Sequence, residues 1–192
     1  MTHNEWTGKW LGKRIDFDKV YGAQCADVAG QYALDVHGIT GLEGVTGAVD
    51  FFTKHDSRPK QKAAYYAIKY QEGLEPPQGA FIVWGATPNN SYGHIAVCDS
   101  STQTSLTVLE QDGFNNPSRD VSKGDAYGLK RRTATYNNVL GWLVPKQKPN
   151  GNLPPANAKI AASDRGAQNG DYWFNQSANS WMQLADSKWR FI

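Results

Sequence analysis

Apolar residues at Cys25, Val28, Ala29, Tyr32, Ala33 and Val36 recur at the three- and four-residue spacing of one helix face, and Gly38 follows as a stop. The pattern predicts a helix over residues 25–36. A second amphipathic run, residues 46–55, turns Val45, Ala48, Val49 and Phe52 to one side, while 58–64 is polar and ambiguous. From Tyr65 onward the period changes. Short runs at 66–70, 80–84, 94–99, 106–110 and 139–144, with something near 129–135, read as strands between turns. Breaks fall at Glu75-Pro76-Pro77, Pro88-Asn89-Asn90 and Asn115-Asn116-Pro117. Helices first and an antiparallel sheet afterwards predict an α+β domain, residues 1–145, with its site at the junction of helices and sheet.

Beyond that domain, residues 146–158 place Pro149, Gly151, Pro154 and Pro155 among polar residues, the composition of a linker. The remaining segment, 159–192, is too short to fold alone without help. Its Trp173, Trp181 and Trp189 recur at eight-residue intervals beside Tyr172, Phe174 and Phe191, a spacing that short hairpin strands produce. It reads as an aromatic binding or self-association element, as a tail folded back on the first domain, or as part of a larger binding domain.

Composition narrows the classes. With 40% apolar and 12% aromatic residues the chain can bury a real core, and a net charge of +2 is too small to argue for a nucleic-acid partner. Two cysteines in 192 residues make no disulfide framework. Residues 1–9 show no apolar core of an export signal. No run approaches the roughly 18 apolar residues of a membrane span, so no membrane partner is expected.

The chemistry concentrates in three places. Cys25 stands at the start of its helix, where unpaired backbone N–H groups and the helix dipole favour a thiolate, the nucleophilic form. His94 opens the strand-like run His94-Ile95-Ala96-Val97-Cys98, and alternation puts His94, Ala96 and Cys98 on one face. Glu110 and Asp112 share a face at the end of the following strand. Cysteine, then histidine, then an acid, in that chain order, is a papain-like arrangement. The histidine takes the thiol proton and returns it to a leaving amine, while the third group fixes the imidazole. If Cys25 is the reactive thiol, Cys98 is a small buried strand residue.

The pieces Asp16-Phe17-Asp18, Tyr21-Gly22-Ala23-Gln24-Cys25-Ala26-Asp27, Tyr92-Gly93-His94-Ile95 and Leu109-Glu110-Gln111 resemble the CHAP family, the cysteine, histidine-dependent amidohydrolases/peptidases of phage endolysins and bacterial wall hydrolases. The likeness runs from about Lys9 to Pro145. It implies a papain-like fold of the NlpC/P60 type and assigns Cys25 as nucleophile, His94 as base and Glu110 as the group that orients His94. Gln24 joins the Cys25 backbone N–H as an oxyanion-hole contributor. Two departures stand out. Asp112 occupies a position where the family usually has asparagine, which admits it as a second carboxylate near His94. The strand that usually opens Gly-Asp reads Gly79-Ala80 here.

The resemblance further implies peptidoglycan, of Gram-positive type, as the partner. The bond cleaved is an amide of the wall peptide, with the enzyme acting as an endopeptidase or an N-acetylmuramoyl-L-alanine amidase. It implies a phage protein that collects in the host cytoplasm before acting at the wall. The 159–192 segment then becomes a wall-binding candidate. Some family members bind Ca²⁺ in the loop before the cysteine. Carried over, the ligands are Asp16, Asp18 and Asp27 by side chain and Val20 and Gly22 by carbonyl, and hard oxygen ligands of this kind suit that ion. The competing reading of the same acids is turn and helix capping. No organic cofactor is implied, and His3, His37, His55 and His94 lack zinc-ligand spacing. Two other functions fit the residues, a cytosolic cysteine amidohydrolase or transamidase acting on small amides and a non-catalytic wall-binding module.

Overall fold

Thr2-His3-Asn4-Glu5 spells a capping box, and the computed structural model forms it. Thr2 N donates to Glu5 Oε2 at 2.8 Å and Glu5 N donates to Thr2 Oγ1 at 3.3 Å, starting α1 (His3–Trp10). The apolar periodicity alone does not announce this helix. The structure describes residues 1–40, 42, 44–112 and 128–146, together with the backbone of three strands in 172–191. Trp6 is completely buried, and its ring meets that of Tyr32 edge-on at 4.8 Å.

The predicted helix is α2 (Cys25–Tyr32), continued by a π-helical turn, Ala33–His37, that ends at Gly38 in left-handed backbone. The helix expected over residues 46–55 is much shorter. Only α3 (Asp50–Thr53) is α-helical, followed by a 3₁₀ turn, His55–Ser57. Val49 N donates to Tyr92 O at 2.9 Å, so the amide that would enter the first turn is held by the segment before His94. Ala48 is buried as expected, but Phe51 is buried as well, and Val45 and Phe52 are only partly buried. The ambiguous polar stretch forms α4 (Pro59–Ala64), with proline at the first position where its missing N–H costs nothing.

Six strands follow: β1 (Tyr65–Lys69), β2 (Phe81–Trp84), β3 (His94–Ser101), β4 (Leu106–Glu110), β5 (Lys130–Ala134) and β6 (Val139–Pro145). They form one antiparallel sheet in the order β1-β6-β2-β3-β4-β5. Each lies within two residues of its predicted run at either end, ordinary scatter for strand boundaries. Alternation divides the side chains between two cores. Phe81, Val83, Ile95, Val97 and Leu109 pack against Trp6, Val28, Ala29 and Tyr32 on the helix side. Ile82, Trp84, Ala96, Cys98, Val108 and Trp142 fill the opposite face with Leu74 and Tyr136. β2 is therefore buried on both faces, which explains its unbroken apolar run.

In the C-terminal segment, β7 (Tyr172–Asn175), β8 (Ser180–Ala185) and β9 (Lys188–Phe191) pair antiparallel as a three-stranded sheet, with Phe174 opposite Trp181 and Leu184 opposite Trp189. The expected linker lies, apart from Lys146, outside the described residues, as does the Asn115-Asn116-Pro117 break. No helix among the described residues is long and apolar enough to cross a membrane.

Candidate active site

The loop leading to Cys25 is held by side chains rather than by regular structure. Asp27, at the third position of α2, accepts hydrogen bonds from the backbone N–H groups of Phe17 (2.9 Å), Asp18 (3.3 Å) and Gln24 (2.7 Å). Burial raises its carboxyl pKa, and these three donors oppose the rise. From the far side, the Gln111 carboxamide pins Ile15 twice. Ile15 N donates to Gln111 Oε1 at 2.8 Å, while Gln111 Nε2 donates to Ile15 O at 2.7 Å and to Gln24 O at 3.1 Å. Between the clamps the chain crosses left-handed backbone at Lys19, Tyr21 and Gly22. Phe17 packs over Gly30 of α2, where an added Cβ would stand 2.7 Å from its ring. The nucleophile candidate thus follows a loop fixed at both ends.

His94 and Glu110 meet at the end of the sheet. The His94 Nε2–H donates to Glu110 Oε2 at 2.7 Å, and both side chains are essentially without solvent exposure. Trp84, directly opposite His94 on β2, sets its ring 5.7 Å from the imidazole. Gly93 makes this approach feasible: at φ +67°, a Cβ there would lie 2.6 Å from Trp84 O and 3.0 Å from Val49 Cβ. Burial opposes a charge on His94, but hydrogen bonds to the Cys25 thiol and to Glu110 outweigh it and raise the imidazole pKa to about 9. Burial would likewise raise Glu110, yet its bonds to His94 and then to Arg132 lower it to about 2. The structure therefore sets His94 beside both Cys25 and Glu110, with the hydrogen bond between His94 and Glu110 fixed at 2.7 Å.

Arg132 and Gln111 are the members that sequence reasoning missed. The Arg132 guanidinium donates to both Glu110 oxygens, Nε to Oε1 at 2.6 Å and Nη2 to Oε2 at 3.1 Å. Its strand, Lys130-Arg131-Arg132, looks like a run of surface cations, and only the register with β4 shows which side chain turns to the site. Gln111 sits inside the quoted Leu109-Glu110-Gln111 piece, but spacing does not reveal a bond to Ile15 across the fold. Gln24 caps α2 and is partly buried. Asp112 is a correction to the expected alternation. It follows β4 in left-handed backbone (φ 53°), so no extended strand carries it onto a face with Glu110.

The ligand atoms of Asp16, Asp18 and Asp27 lie within 4.8 Å of one another. Asp16 Oδ1 is buried with no hydrogen-bond partner among the described residues, and Asp18 Oδ1 accepts from Val20 N at 2.8 Å. Asp16 and Asp18 thus fit a hard cation, whereas the Asp27 oxygens are already engaged by three amides. The remaining histidines are held in packing. His3 bridges Tyr32 Oη (2.7 Å) and Asp99 (2.8 Å), His37 bonds Tyr65 Oη (2.9 Å), and the His55 Nε2–H donates to Tyr65 O (3.1 Å). Cys98 is a fully buried free thiol.

A family model described as the CHAP domain matches residues 15–112. Among solved structures, the chain is similar to the wild type endolysin LysIME-EF1, at 18% identity and a TM-score of 0.55, covering 73% of this chain and 61% of that one. It is also similar to Ly7917, at 15% identity and a TM-score of 0.44 over 64% and 53% of the two chains. Ly7917 with the hydrolyzing product of MDP gives 16% identity and 0.45 over 66% and 55%. The chain thus spans less than two thirds of each of these proteins. A search of curated proteins found no match.

Proposed function

The chain belongs to the CHAP domain family, and on that premise we propose that it is a peptidoglycan hydrolase that cleaves an amide bond of the bacterial wall peptide through Cys25. The observation that carries the reading is the buried His94–Glu110 pair, hydrogen-bonded at 2.7 Å, with the Cys25 thiol at the start of α2 beside it. The thiolate attacks the scissile carbonyl, and the developing oxyanion rests on the Cys25 backbone N–H and on Gln24. The carbon–nitrogen bond breaks as His94 gives its proton to the departing amine, leaving a thioester on Cys25. Water then attacks that thioester, passes a proton to His94, and releases the acid with return of the thiolate. Glu110 holds the imidazole and balances its charge throughout.

In this reading Gram-positive walls are the target, the protein gathers in the host cytoplasm before lysis, and residues 159–192 serve wall retention or self-association. Ca²⁺ is proposed to bind through Asp16 and Asp18, with Val20 and Gly22 supplying carbonyls and Asp27 holding the loop beside them. When bound, the ion supplies charge neutralisation for two nearby carboxylates and fixes the loop. Digestion of purified walls followed by mass spectrometry of the released termini tests the proposal. A new muramoyl carboxyl with a stem peptide that begins at a free L-alanine amino group identifies an amidase, and new termini within the stem or cross-bridge identify an endopeptidase. Intact Gram-positive walls alongside cleavage of small soluble amides would replace this reading with a small-amide hydrolase.

A further inference from the structure

Resting on the assignment of Cys25 and His94 as the reacting pair, we infer that Arg132 is the positioning residue of this site: its guanidinium, forked across both oxygens of Glu110, aims that carboxylate at His94. Three observations carry this. Glu110 has no solvent exposure, so with Arg132 in place its two oxygens are held by side chains rather than by bulk water. Oε1 has Arg132 as a donor, and Oε2 is shared between Arg132 Nη2 and His94 Nε2. Rotation of the carboxylate is therefore blocked by one residue. Finally, the register places Arg132 opposite Val108, two residues before Glu110 on the same face of β4, so the fork reaches Glu110 diagonally across the sheet.

The neighbouring arginine shows that this is a choice of face. Arg131, opposite Leu109, turns to the helix side and binds Asp99 at 2.7 Å, where His3 joins them. The two arginines thus serve different networks through strand alternation. Arg132 is one-third exposed and lines an open cleft of about 250 Å³ with Trp84, Thr87, Thr135 and Asn137, so the link to the catalytic pair is built from a solvent-facing side. Lysine cannot substitute fully, because a point charge on a flexible stem satisfies one oxygen and leaves the other free to turn.

The test uses the full chain carrying Cys98→Ser, so that iodoacetamide reads Cys25 alone without any wall substrate. The groups that set the upper inflection of the alkylation rate against pH are His94, its contacts Cys25 on α2 and Glu110 on β4, and Arg132 acting through Glu110 from β5. In the parent, that inflection is expected near pH 9, from His94. Arg132→Gln should lower it by about one unit or more, because Glu110 takes a proton or swings into the cleft and His94 loses its counter-charge. Turnover of soluble muropeptides should fall about tenfold or more in kcat, with KM nearly unchanged. Arg132→Lys should keep the inflection while still lowering kcat. An inflection that stays or rises in Arg132→Gln overturns the assignment. If Arg132→Gln does not fold, Arg132→Lys decides, and parental kcat in that variant overturns it equally. A parent that shows the inflection but cleaves no wall or muropeptide overturns the hydrolase reading instead, and the inflection alone then judges Arg132.

Discussion

At the residue scale the two cysteines occupy opposite settings. Cys25 is partly exposed at a helix start beside His94, whereas Cys98 lies buried on β3 with its Sγ facing Pro76 O at 3.7 Å. Burial raises the Cys98 thiol pKa far above its ordinary value. Cys25→Ala should therefore abolish wall clearing with the fold intact by circular dichroism, and Cys98→Ser should keep most of the activity. The reverse pattern would remove Cys25 from the mechanism. The His94–Glu110 pair makes a second prediction, in stability. His94 is raised from 6.5 to about 9, so its contribution is complete below pH 6.5 and lost as pH climbs through 9. Glu110 is lowered from 4.5 to about 2, so its contribution is complete above pH 4.5 and lost as pH falls through 2. Thermal melts should show a Tm plateau between pH 4.5 and 6.5 that Glu110→Gln flattens at both edges. A wild-type curve unchanged by that substitution would mean that the pair is not coupled to folding.

At the scale of elements, the loop before α2 depends on a strand far from it in sequence. Gln111 makes three hydrogen bonds to Ile15 and Gln24, and its side chain is wholly buried. Gln111→Ala should cost about 1–3 kcal/mol in denaturant unfolding, since the amide and carbonyl of Ile15 lose their partners away from water. It should also lower the Cys25 alkylation rate, because the thiol then follows a slack loop. Parental stability and reactivity in this variant would show that Asp27 suffices as the clamp. The helix over Cys25–His37 and the strands β2, β3, β4 and β6 were legible from period, because each buries a run of apolar residues, whereas β5 alternates only between half-buried and exposed positions and carries no apolar face. α1 was legible only through its capping box, and the run at 46–55 misled because Tyr92 holds the Val49 amide.

For the whole molecule, the proposed calcium couples the loop to global stability. An ion that binds the folded chain and not the unfolded one raises Tm with its free concentration. EDTA should lower both Tm and wall clearing, and Ca²⁺ should restore both better than Zn²⁺. The combined Asp16→Ala and Asp18→Ala variant should lose the response. A variant that still responds to calcium would place the ion elsewhere, and a parent indifferent to EDTA would leave the acids as turn and helix caps. By itself, the sequence determined the α+β order of elements, the helix that presents Cys25, the strand that presents His94 and the candidacy of Glu110. Each of these follows from periodicity, helix-end chemistry or a local motif, which are properties of neighbouring residues. Only the tertiary structure decided that Arg132 rather than Arg131 serves Glu110, that Gln111 holds Ile15, and that Asp27 ties three amides together. Those choices depend on which strand lies beside which and in what register, and a run such as Lys130-Arg131-Arg132 reads the same whichever neighbour the fold supplies.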